Sequence, residues 1–148
     1  MLLSEKILQF DSEAIKSPGT SACEIQAAKK QWYQILVSAS DSHLKTIIYR
    51  DTETGYNLLN ENIKLNVPCS LPGKLLSFLF HRFRYFNGSS DKGITIISSG
   101  PINNSENLEA IILELAHLNN LNPKFLDWIE NSNSFIRQQK VEDLFNNL

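Results

Sequence analysis

The chain has 148 residues, a formal net charge of −2 and 42% hydrophobic residues, enough length for one domain with a core that needs no covalent staple. Its basic residues are scattered rather than gathered on a stripe, which argues against a nucleic-acid partner. No apolar run approaches the length of a membrane span and no secretory leader opens the sequence, so a soluble cytoplasmic protein is expected.

Lys6–Phe10 is the first candidate strand. The turn after it, Asp11-Ser12-Glu13-Ala14-Ile15, has no glycine and carries two carboxylates. A phosphate cradle at such a turn needs bare backbone amides and tolerates negative charge poorly, so this turn is unsuited to a pyrophosphate. Asp11 and Glu13 have no further ligand nearby in sequence, and two acids alone do not make a cation site. After Ser17-Pro18-Gly19-Thr20 breaks the chain, Ser21 and Glu24 form a capping box. Ile25, Ala28, Trp32, Ile35 or Leu36, and Ala39 then recur at helical spacing, and the helix is carried to about Ser38, with a short strand over Tyr33–Val37 as the alternative.

Leu44–Tyr49 is a β-branched strand, and Arg50–Tyr56 leaves its C-terminal end, the edge at which open α/β sheets bind ligands. Residues 57–69 are polar and rich in asparagine. Ser70 then caps a helix that tolerates Pro72 in its first turn and ends at Asn87-Gly88. Leu75, Phe78, Leu79, Phe83 and Phe86 line its apolar face. Ile94–Ser98 is the next strand, and a polar loop, Ser99–Ser105, follows it on the same sheet edge. Glu106–Asn119 is helical, with Leu108, Ile111, Ile112, Leu115 and Leu118 on the buried side. Asn122-Pro123 starts a shorter helix through Ile129, Asn131–Ser134 interrupt it, and Ile136–Leu148 form an amphipathic segment with Val141, Leu144 and Phe145.

Helices that lead through short loops into buried strands build crossover units. The expected fold is therefore a reduced Rossmann-like, three-layer α/β domain spanning residues 1–148, with about three parallel strands (6–10, 44–49 and 94–98) and a helical C-terminal end. Cys23 and Cys69 are isolated and expected as buried reduced thiols, with neither a metal site nor a disulfide framework implied. His43, His81 and His117 are far apart in sequence, with no nucleophile motif beside them, and belong on the surface. Lys74, in the first turn of the central helix, is expected to be solvated rather than to meet an anion. Trp32 and Trp128 are expected as core anchors.

Three stretches resemble a known family. Asp51-Thr52-Glu53-Thr54-Gly55-Tyr56 is the first. Leu71-Pro72-Gly73-Lys74-Leu75 through Phe83, Phe86-Asn87-Gly88 and Asp91-Lys92-Gly93 make the second. Phe125-Leu126-Asp127-Trp128-Ile129 with Asn131 and Asn133-Ser134-Phe135 is the third. Together they are similar to the N-terminal Rossmann domain of the mannitol dehydrogenase and tagaturonate (altronate) reductase family of NAD-dependent, polyol-specific long-chain dehydrogenases. The resemblance covers about residues 44–135.

It implies Thr52, Glu53, Gly55 and Asn104 as cofactor-binding positions near the nicotinamide end of a family-like cleft. For Glu53 the plainer role is to cap the following turn with Thr52, while Gly55 supplies a positive φ. The chain also departs from the family. The glycine-rich turn is replaced by Asp11–Ser17, and about 33 residues stand where two further strands and their crossovers would be needed. The helical domain that carries the family's catalytic residues is absent from this sequence. No catalytic residue and no cofactor are thus expected. The leading expectation is a non-catalytic binding module that pairs with itself or a protein partner through the edge of its first strand. The alternative is the NAD(P)-binding half of a sugar-acid or polyol oxidoreductase, completed by another chain or cut from a longer enzyme.

Overall fold

The computed structural model describes residues 6–10, 22–50, 58–64, 67–99 and 105–137. In chain order the elements are β1 (Lys6–Phe10), α1 (Ala22–Ser38), β2 (Leu44–Arg50), α2 (Leu71–Tyr85), a 3₁₀ turn (Ser90–Lys92), β3 (Thr95–Ser99), α3 (Ser105–Leu118), α4 (Pro123–Ser132) and β4 (Ser134–Arg137). The three expected strands are present, and Tyr33–Val37 belongs to α1. The four strands form one all-parallel sheet in the order β1-β2-β3-β4.

The fourth strand is the principal addition to the expected architecture. The sequence pattern divides Ser134–Arg137 between an interruption and an amphipathic segment, because four residues are too few for a strand pattern to show. Its start is set by Asn133, which is buried beside Ile94. The Asn133 amide donates to Trp128 O at 2.9 Å, its Oδ1 accepts from Ile94 N at 2.7 Å, and Ser134 N donates to Ile94 O at 3.1 Å. One side chain therefore ends α4 and aligns the next strand on β3. Replacing Asn133 by alanine strands two buried backbone groups, with an expected loss of about 2 kcal/mol in urea unfolding.

The central helix follows its sequence signals. The Ser70 hydroxyl accepts from Gly73 N, Pro72 lies in the first turn, and Asn87 and Gly88 both take positive φ at the far end. Leu75, Phe78 and Leu79 are fully buried, while Phe83 and Phe86 are half-buried. Phe83 packs on Phe125 and Trp128 at ring separations of 5.1 and 5.6 Å, so α2 carries α4 through an aromatic cluster.

The sheet has two unlike faces. In register across it, Leu8, Ile47, Ile96 and Phe135 share one row. Ile47 and Ile96 belong to the core together with Trp32 of α1, Leu75 and Phe78 of α2, Leu108 and Ile112 of α3, and Phe125 of α4. Right-handed crossovers between successive adjacent strands place their helices on a single face, as this shared core requires. The neighbouring row on the other face is Gln9, Ile48, Ile97 and Ile136, whose isoleucines are half-buried. Among the described residues the fold is an α/β domain with a parallel sheet and four helices, as expected, with one strand more than the three anticipated. No described helix is long and apolar enough to cross a membrane.

Candidate functional site

Parallel strands end at the same rim, so the segments that follow β2 and β3 leave the sheet side by side. Arg50 and Ser99, the terminal residues of these strands, are paired in register, and the Ser99 hydroxyl donates to Tyr49 O at 3.2 Å. Thr52, Glu53 and Gly55 follow Arg50, and Asn104 lies five positions after Ser99. The topology thus starts both candidate segments from one place on the C-terminal rim. The four residues themselves lie outside the described residues, as do Asp11 and Glu13 after β1.

A crossover helix returns antiparallel to its strands, so the N-terminus of α2 also stands over this rim. The position in front of it is filled by the chain itself. Glu61 directs its carboxylate at the helix start, where Oε2 accepts from Cys69 N at 2.6 Å and from Ser70 N at 3.3 Å, and Oε1 accepts from the Ser70 hydroxyl. Gly73 makes this approach possible, since a Cβ there would run into Glu61 Oε1 and lie 3.0 Å from the Pro68 side chain. The amides and dipole that suit an anion at a helix N-terminus therefore already face a carboxylate.

Asn119 holds Glu61 in place from the end of α3. Its amide group donates to Glu61 O at 2.8 Å and to Leu115 O at 2.9 Å, and its Oδ1 accepts from Ile63 N at 3.1 Å. Glu61→Ala removes the acceptor from two backbone amides, and chemical denaturation should show a loss of about 2 kcal/mol, with Glu61→Gln recovering part of it.

Two sequence expectations are corrected here. Lys74 is buried rather than solvated, at 3% exposure, in a first turn of α2 whose other residues, Leu71, Pro72 and Gly73, are buried as well. Cys69 is exposed rather than buried, a free thiol just ahead of the helix cap, and the side chain of Cys23 lies outside the described residues. His43, His81 and His117 are exposed, while Trp32 and Trp128 are buried as core anchors. Among the described residues no group of three metal-ligating side chains comes together.

The residue that sequence reasoning missed is Arg82. It is fully buried, and its guanidinium donates to four backbone carbonyls: Lys92 O at 2.6 Å, Ala39 O at 3.1 Å, Asp41 O at 3.0 Å and Leu44 O at 2.8 Å. Its Cζ also lies 5.0 Å from the Phe86 ring centroid. Burial pushes the guanidinium below its ordinary pKa, and the nearby Asp41 charge pulls it part of the way back. The signal was legible in principle, since position 82 continues the buried stripe through 75, 78 and 79 at helical spacing. A cation on such a stripe requires a dedicated set of acceptors.

A dinucleotide bound in the usual doubly wound manner lies at a switch point, where the strand order reverses outside the carboxyl ends of the strands. The order β1-β2-β3-β4 follows the chain without reversal. The described strands therefore do not offer that crevice, and the helix start nearest the rim is closed by Glu61. Among the described residues, neither the strand order nor the start of α2 offers the dinucleotide site that the family resemblance implies.

A parallel sheet threaded by crossover helices, with its loops gathered on one rim, defines a Rossmann-like α/β domain. The chain is homologous to altronate oxidoreductases. It is 37% identical to the altronate oxidoreductase of Bacillus subtilis (strain 168) over 100 residues, which is 66% of this chain and 21% of that protein. It is 34% identical to that of Cronobacter sakazakii over 107 residues, 71% of this chain and 22% of the relative, and 31% identical to that of Yersinia pestis over 109 residues, 72% and 22%. It thus spans about a fifth of the length of the curated relatives it matches. No family model matches the sequence. No solved structure matches it either.

Proposed function

We propose that this chain is an interaction module derived from the nucleotide-binding part of an altronate-oxidoreductase-like dehydrogenase, and that it does not carry out hydride transfer by itself. The observation that carries this reading is the strand order. In the six-stranded dinucleotide fold two further strands lie beyond β1 and support the adenosine half of the coenzyme, whereas among the described strands β1 is the edge and α1 leads to its neighbour β2. The Glu61 carboxylate at the start of α2 and the glycine-free sequence Asp11–Ser17 support the same reading. The exposed thiol of Cys69 suits a reducing compartment, and the cytoplasm is the proposed location.

The second reading, an oxidoreductase module whose NAD(P) site is completed by another chain, is favoured by the names of the relatives and by the common rim from which residues 51–57 and 100–104 depart. In it Thr52, Glu53, Gly55 and Asn104 would contact the coenzyme. Calorimetric titration with NADH and NADPH separates the two. The interaction-module reading expects no saturable binding below about 1 mM, and a micromolar constant, worth about 8 kcal/mol, would establish the other.

A further inference from the structure

Resting on the interaction-module reading, we propose that β1, an edge among the described strands, pairs antiparallel with β1 of a second copy of this chain, across a two-fold axis perpendicular to the sheet, with Ile7 opposite the partner's Ile7. Among the described strands β1 hydrogen-bonds on one side only, to β2. A sheet edge invites pairing unless proline, charge, a bulge or a covering element blunts it. In β1 these devices amount to Lys6 at its start and a register irregularity between Lys6 and Ile7. The remaining residues, Ile7-Leu8-Gln9-Phe10, hold no charge and no proline. The opposite edge, β4, is a residue shorter and both starts and ends on polar residues.

Symmetry and the pleat choose the register. A second sheet that extends away from β1 in antiparallel pairing is related by an axis normal to the sheet, which keeps both helical layers on the same side. Opposed side chains in an antiparallel pair share a face. Ile7 lies on the face away from the helices, so its possible neighbours across the axis are the partner's Ile7 or the partner's Gln9. Ile7 is 65% exposed, whereas Leu8 already packs against the core. Placing Ile7 against its own image covers that apolar surface and sets Leu8 opposite the partner's Lys6, whose charge can reach past the strand to solvent, whereas the alternative sets Ile7 against an amide. The contact is self-complementary, as a two-fold interface requires, and the result is a continuous eight-stranded sheet. Its small area implies a micromolar rather than a nanomolar dimer.

Sedimentation velocity over a hundredfold concentration range should show a monomer giving way to a dimer. Ile7→Lys should leave only monomer with an unchanged circular dichroism spectrum, because the side chain is exposed in the isolated chain. In a background with Cys23→Ser and Cys69→Ser, oxidation should link Ile7→Cys chains into covalent dimers and leave Gln9→Cys chains largely unlinked. A monomer at every concentration, linking of Gln9→Cys chains in place of Ile7→Cys chains, or linking only when the two kinds of chain are mixed, would overturn the pairing. The coenzyme titration is read separately: a monomer that binds no NADH refutes the pairing alone, whereas one that binds NADH refutes the functional reading as well.

Discussion

Arg82→Met should destabilise the fold by about 4 kcal/mol in urea unfolding. The guanidinium joins the loop after α1, the start of β2 and the turn before β3 through carbonyls that have been withdrawn from water. Methionine fills much of the volume and supplies no donor, so several buried acceptors lose their partner at once. Lysine keeps the charge but replaces a planar fork by a point donor that cannot reach four carbonyls set around it. Arg82→Lys should therefore fall within about 1 kcal/mol of Arg82→Met. A loss below 1 kcal/mol for Arg82→Met would mean that the four contacts do not hold these segments together.

Gly93→Ala should cost about 3 kcal/mol, the upper end of what an overpacked site usually loses. Gly93 has φ −64° and ψ 165°, a conformation open to any residue, so the cost does not come from backbone strain. It comes from space, since a Cβ at this position would overlap the carbonyl oxygen of Ser132 and sit 3.3 Å from the Ser132 Cβ. That carbonyl cannot retreat cheaply. The adjacent Asn133 is bonded both to Ile94 and to Trp128, and Ser134 is bonded to Ile94. The urea midpoint should drop with an unchanged slope, and the amides of β4 should lose protection from hydrogen exchange before those of β2.

These two positions show where sequence reasoning reaches and where it stops. The central helix was readable end to end, because Ser70, Pro72 and Asn87-Gly88 act locally and each states its own reason. The strands of β2 and β3 were readable because β-branched runs between polar breaks have few other uses. Arg82, Gly93 and Asn133 are different. Helical spacing puts Arg82 on the buried stripe, but each is decided mainly by groups 10 to 43 residues away in sequence, and no local pattern announces a carbonyl cage or a missing Cβ. β4 escaped notice because its four residues lie between an asparagine-rich helix end and an amphipathic stretch. At the rim, the departure points of the two candidate segments followed from the parallel order, while the capture of the α2 start by Glu61 did not.

The most direct test of the central claim is a titration of uniformly ¹⁵N-labelled protein with NADH, followed by two-dimensional amide spectra. The strand order and the Glu61 contact predict that the amides of Arg50, Ser99, Cys69 and Ser70 keep their positions up to millimolar coenzyme. Saturating shifts at these amides in the micromolar range would show that a coenzyme binds at the rim, and would contradict the account.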